Sequence, residues 1–499
     1  MTTSVDDRRR TPGSRTRPTP QLRAPGVRRG IAALLALAAA AGASSALSPL
    51  APLGVAVVAA LAVAVWRRPL VAAVVVVAVV PAVAGLDRGV GAPGLKASEL
   101  LLALCAGVLV LRSPQPWGRW SSREHLLLVF AVTAAALSVY HAAVTGSTVD
   151  SLLRVGLQPA LLLLTWWTAR RGVADRADLV VVLRWTLLVS AVPSALAVLQ
   201  YLDVLGVRDL VLAVTAGDVV PDAGSDFSRV TGPFPIWHSL GGYLLIPTVL
   251  AMILVLVGDR TVLRPWALGV VVALDLAAVV LSVTVTVIVW VPVAFLVAAV
   301  LVHRTGRALL LLAGLVLVAA LAFQSILVDR IEDQSTAASG TSEGLLPQTV
   351  AYRVLVWQRD YLPLLARGAA YGLGNDLPDS VFFPSTENQY LTYVLRGGVV
   401  LLAAAIAAVV AVLVRSLAVA RSGAGPEALA AAAIAGVLAF LPATAMLWPY
   451  LSNAGLPAML FAAGGAVLGG RARESAPPGR SGGAQSAPTR RAAPAGAPS

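Results

Sequence analysis

A chain of 499 residues that is 58% hydrophobic and only 13% charged, with a mean hydropathy of +0.81, is no ordinary soluble domain; there apolar usage is lower and charge about double. The net charge of +13 is carried by Arg, Lys96 being the only lysine. Cytoplasmic loops obeying the positive-inside rule explain that excess, and nucleic acid is set aside as a partner. The single cysteine, Cys105, stands mid-run among Leu and Ala and leaves no disulfide or thiolate metal site.

Residues 1–30, rich in Arg, Pro, Ser and Thr, read as a disordered basic tail on the cytoplasmic side. The apolar run behind them is taken as a retained signal anchor, because a second run follows at once. Runs of roughly 16 to 22 apolar residues then recur, the length that crosses about 30 Å of hydrocarbon. They predict an all-α polytopic membrane protein with about 14 spans: 31–47, 51–66, 70–86, 97–111, 125–143, 153–169, 179–201, 236–257, 266–284, 287–302, 308–326, 390–414, 428–447 and 454–470. Spans one to eleven fill 31–326 and the last three fill 390–470, with one large loop, 327–389, between them. The apolar run 266–302 is too long for one crossing and is split at Ser282-Val-Thr-Val-Thr. Residues 471–499 form a second disordered basic tail.

Counting cations orients the chain. With the N-terminus inside, alternate loops hold Arg67/Arg68, Arg112/Arg119/Arg123, Arg170/Arg171/Arg176, Arg260/Arg264, Arg304/Arg307 and Arg415/Arg421. Together with the two tails they place most of the cations in the cytoplasm. Loops 202–235 and 327–389 then face outward. Near-exclusive use of Arg over Lys suggests a GC-rich bacterial genome.

The outward loops carry the chemistry. In the first, Arg229 precedes a proline-broken start of the next span, and His238 falls about half a turn inside it. The bland alternative is a snorkelling Arg and a satisfied interfacial His. In the second, Arg353, Trp357 and Tyr361 recur at i, i+4 and i+8, an aromatic and cationic face that could lie on headgroups or stack on sugar rings. Arg359, Asn388, Tyr390 and Arg396 complete a dense set of candidate substrate-binding groups. Gly372-Leu373-Gly374 reads as a tight turn. Glu387, where the loop re-enters the membrane, could act as a general base for a hydroxyl nucleophile. It could equally be a carboxylate favoured by a helix N-terminus, with Ser385 or Thr386 as N-cap. Outward Arg is scarce under the positive-inside rule, and Arg is suited to bidentate phosphate recognition. Asp275, mid-span, costs about 2.5–3.5 kcal/mol if unpaired; it either finds a buried polar partner or marks an ion path. His141, Arg154 and Arg184 near span ends are explained by snorkelling. The sequence holds no metal-ligand cluster, Walker motif, HExxH or Ser-His-Asp spacing.

RVTGPFPIWHSLGGYLL, containing Arg229, Gly232, Phe234 and His238, resembles a segment of the O-antigen ligase and O-antigen polymerase family. YRVLVWQRDYLPLLARGAAYGLGND and TENQYLTYVLRGGVVLL resemble that family's large periplasmic loop, and the likeness covers roughly 225–415. It implies a membrane glycosyltransferase of the GT-C-like type, with a multi-helix body and a loop lid. The implied reaction is an inverting, metal-independent transfer of glycan, without a cofactor, from polyprenyl (undecaprenyl) diphosphate to an acceptor sugar hydroxyl outside the membrane. It would serve exopolysaccharide or cell-surface polysaccharide assembly, alongside other glycan-assembly membrane proteins. Arg229 and Arg353 match the family's diphosphate-binding arginines. Glu387 stands where ligases generally have a catalytic His, which fits a polymerase or another glycan transferase better than a ligase. The family's usual Ser-Arg in the turn within 266–302 is replaced by SVTVTV. Whether Glu387 or His238 is the base stays open. A lipid-linked oligosaccharide transporter, which would use Asp275 and the proline-broken spans, and a catalytically dead scaffold are the competing readings.

Overall fold

The computed structural model describes residues 51–87, 96–112, 120–145, 156–215, 229–324, 328, 348–368, 370–374, 381, 385–423 and 425–469. The tails, the first expected span, Arg154 and the acidic stretch 216–228 lie outside them. Among the described residues the chain is helical, with no strand beyond one isolated bridge between Leu86 and Thr215.

The helices follow the apolar runs. They are α1 (Ala51–Arg67), α2 (Pro69–Ala82, with a π turn at Val75–Val79), α3 (Ala97–Arg112), α4 (Ser122–Thr145), α5 (Gln158–Gly172), α6 (Arg176–Tyr201) and the short α7 (Val207–Val214). Then come α8 (Trp237–Val257), α9 (Pro265–Leu281), α10 (Val285–Leu301) and α11 (Thr305–Ala322). In the long polar segment α12 (Gln348–Val356) runs through a π turn at Trp357–Tyr361 into Leu362–Gly368. The last described helices are α13 (Gln389–Ser422), α14 (Pro426–Thr444) and α15 (Leu456–Leu468). Six of these are long and apolar enough to cross a membrane: α4, α6, α8, α11, α13 and α14; α1, α2, α9, α10 and α15 are shorter apolar helices. The chain is thus a polytopic helical membrane protein. The run 266–302 divides where expected, at Ser282–Thr284, with Val283 in the left-handed region at φ 50°.

Burial orders the bundle. In α8 and α14, 83% and 78% of the most apolar window is buried, against 6% in α11. The first two therefore form the core, while α11 turns its leucines and valines outward. α14 packs along α10 and α13, α5 along α15, and α9 along α6. Small residues set these distances, since lipid offers no hydrophobic drive between helices: a Cβ on Gly436 would sit 2.2 Å from the Ala294 carbonyl oxygen. At the start of α4, Glu124 bonds the Ser121 N–H, accepts from Trp166 Nε1 and pairs with Arg170 at 2.7 Å. Asp275 accepts from Ser194 at 2.7 Å and Ser190 at 3.2 Å, so the intramembrane carboxylate has the polar partners its burial requires.

Candidate active site at one end of the bundle

Arg229 leads into a turn that the end of α6 holds. The buried Gln200 carbonyl accepts the N–H groups of Thr231 at 3.0 Å and Gly232 at 2.9 Å, and its amide donates to Thr231 Oγ1 at 3.4 Å. Irregular backbone at this depth persists because those groups are satisfied. The turn lays the Arg229 guanidinium 4.6 Å over the Trp237 ring, a cation–π contact. Trp237 opens α8 and His238 follows. The His238 ring stacks on Trp448 at 3.9 Å and 7°, with Tyr450 edge-on at 6.3 Å.

From the other side α12 brings Arg353, whose Nε donates to Glu387 Oε2 at 2.5 Å; the two side chains are 16% and 19% exposed. One turn on, Trp357 Nε1 donates to the Thr386 carbonyl at 2.8 Å. Glu387 sits at φ 47°, a left-handed conformation disfavoured for a residue with a Cβ. Such strain gathers at functional sites, where the surroundings over-determine it. The charges of Arg353 and Arg229 both act on the His238 ring, and that of Arg353 acts on Tyr450. Arg229, Trp237, His238, Arg353, Glu387, Trp448 and Tyr450 therefore make one site.

The first turn of α13 fixes the far wall. Gln389 donates its N–H to the Ala445 carbonyl, accepts from the Leu451 N–H and donates to Ser452 Oγ, each at 2.7 Å. Tyr390 OH donates to the Pro442 carbonyl at 2.8 Å. The loop carrying Trp448 and Tyr450 is thereby tied to the residue two positions after Glu387.

A second tie docks the polar segment. Leu373 N–H donates to the Leu395 carbonyl at 2.6 Å and His141 Nε2 contacts the Tyr371 carbonyl at 2.7 Å. The turn at Gly372 (φ 78°) and Gly374 (φ 100°) nests in a break in α13 at Gly397–Gly398. There a Cβ on Gly398 would meet the Ala370 carbonyl oxygen at 1.9 Å. Val356, Tyr361, Leu364 and Leu395 form a small core beneath. Burial, then the nearby acidic charges, push the Tyr361 phenol up to about 12, so it stays neutral in that core.

Several sequence expectations are corrected by this geometry. The π turn widens the helical register, so Arg353 and Trp357 both meet residues 386–387 while Tyr361 turns into the core. No common face is left for headgroups. The N-cap of α13 is Asn388, whose side chain accepts the Leu391 N–H at 3.1 Å, not Ser385 or Thr386; its carboxamide oxygen is spent there. Arg359 points away, exposed and bonded to neighbouring Asp360. Arg396 lies apart, in a small cavity with Phe130, Ser138, Gln158 and Tyr393. His141 is buried rather than snorkelling, and Arg184 holds the carbonyls of Val262 and Thr261. The sequence reading missed Trp448 and Tyr450, which stand between two apolar runs and pass there for interfacial aromatics. It also missed Gln200 and Gln389, buried amides whose only signal was polarity next to a span.

Among the described residues no three His, Cys, Asp or Glu side chains converge as metal ligands. Compared with known proteins, the chain matches no family model and no curated protein.

Proposed function

We propose that this chain is a glycosyltransferase of the membrane, moving a glycan from polyprenyl diphosphate to an acceptor sugar hydroxyl in the manner of an O-antigen polymerase or ligase. The observation that carries it is the Arg353–Glu387 pair, held in strained backbone beside Arg229 and His238. Two guanidiniums suit a diphosphate, whose negative charge grows as it departs. A carboxylate paired with one of them suits the abstraction of a hydroxyl proton.

The pair also orders the events. Resting Glu387 is engaged by Arg353, which keeps a lone cation and a lone carboxylate out of the half-buried site. When the diphosphate draws Arg353 to its own oxygens, Glu387 is left to take the acceptor hydroxyl proton. The hydroxyl oxygen bonds the anomeric carbon as the bond to the diphosphate breaks. The electron pair leaves on the polyprenyl diphosphate, the configuration inverts, and the proton stays on Glu387.

The finer architecture belongs to the same reading. It takes about 14 spans of GT-C-like type in a bacterial plasma membrane, both tails cytoplasmic and the site on the outer face, as the cation count requires. The test is turnover by the purified full chain of a polyprenyl-diphosphate oligosaccharide in EDTA. Wild type should lengthen the glycan or move it to an added acceptor, and Arg229→Ala and Arg353→Ala should abolish this. Intact lipid-linked substrate that crosses a liposome membrane would instead establish the transporter.

A further inference from the structure

The proposed transfer gives tasks to Arg229, Arg353 and Glu387 but none to the rings beside them. Trp237 Nε1, His238 Nδ1 and Trp448 Nε1 are each buried without a hydrogen-bond partner among the described residues. The three rings are neighbours: Trp237 and His238 lie 5.8 Å apart, and His238 stacks on Trp448 at 3.9 Å. Buried polar atoms are nearly always paired, so three orphaned ring nitrogens in one cluster call for a reason. An indole N–H can only donate. The two indoles, and His238 in its Nδ1–H tautomer, are donors that lack an acceptor.

Charge narrows the choice of acceptor. Arg229 covers Trp237, and the charges of Arg353 and Arg229 both act on His238. Donors flanked by two cations suit a group that only accepts, the non-bridging oxygens of a phosphate. Indole and imidazole donors also keep the ring surface apolar, as suits a headgroup whose tail stays in the hydrocarbon.

We infer that Trp237, His238 and Trp448 form a phosphoryl-binding subsite, in which the ring N–H groups donate to the oxygens of a lipid-linked diphosphate lying between Arg229 and Arg353. His238 does so as the Nδ1–H tautomer. This rests on the transferase reading and adds to it three donors that hold the leaving group. The Tyr450 ring backs His238, and the Gln389 ties to Ala445, Leu451 and Ser452 hold Trp448 in reach.

The experiment measures binding of undecaprenyl diphosphate, with neutral undecaprenol as control, to the full chain in lipid nanodiscs. Trp448→Phe and Trp237→Phe should each weaken diphosphate binding about tenfold, the loss of one hydrogen bond to a charged group. His238→Asn retains a donor near the Nδ1 position and should bind within about threefold of wild type, whereas His238→Leu should lose about tenfold. If a Trp variant does not fold, the two His238 variants decide. Unchanged binding in the folded Trp variants, or equal losses in His238→Asn and His238→Leu, overturns the subsite and leaves the transferase reading standing. Wild type that binds diphosphate no better than undecaprenol overturns both.

Discussion

Arg353 and Glu387 form a half-buried ion pair in which each charge makes the other tolerable. Removing one partner of a fully buried pair costs about 3–5 kcal/mol, because the survivor is left uncompensated. With both side chains less than a fifth exposed, the cost here should be about 1–3 kcal/mol after solvent screening. Thermal unfolding should therefore show Arg353→Ala less stable than the double variant Arg353→Ala/Glu387→Ala. Purely additive losses would mean the pair is not coupled. Arg359 is the contrasting case: half-exposed, it forks onto the buried carboxylate of its own neighbour Asp360, within the π turn rather than across to Glu387. Arg359→Ala should change turnover by less than about twofold, although sequence alone puts it with the other outer arginines.

At the scale of elements, the site depends on how the 348–374 segment is seated. The Gly372–Gly374 turn fits the α13 break only because Gly398 has no Cβ and takes φ 67°. Gly398→Ala would drive a methyl into the Ala370 carbonyl, costing well over about 1 kcal/mol. Hydrogen exchange should then rise across 348–374 while α8 and α14 stay protected; uniform protection would refute this seating. Helices were legible from the sequence because length and apolarity are local properties: most described helices lie within a few residues of an expected run, while α13 runs on to Ser422, eight residues past the expected 414. The break in α13 was not. RGG inside an apolar run reads as one helix, and what divides it is a partner turn some 25 residues earlier. For the same reason Arg353, Glu387, Arg229 and His238 could be named from residue type and loop position, while Trp448 and Tyr450 could not. Their role depends on stacking against a residue about 210 positions away. The misplacement of Tyr361 has a local cause that i, i+4 counting does not see, the π turn.

For the whole molecule, the question is whether the polar groups in the bundle interior or those at its end do the work. Asp275 is served by Ser190 and Ser194 and lies in α9, outside the cluster around Glu387. Asp275→Asn should leave glycan transfer within about threefold of wild type, since an amide still finds hydroxyl partners. A carrier that moves a proton or cation through this carboxylate would instead lose transport. The most direct test of the account is single-turnover release of polyprenyl diphosphate from a lipid-linked oligosaccharide by purified full-length protein. Wild type and Glu387→Gln would be compared, with donor affinity measured in parallel. The account predicts acceptor-dependent release by wild type and a loss of about 10²–10⁴-fold in Glu387→Gln, with the donor still bound. Release unaffected by Glu387→Gln, or a donor never cleaved by wild type, would contradict it.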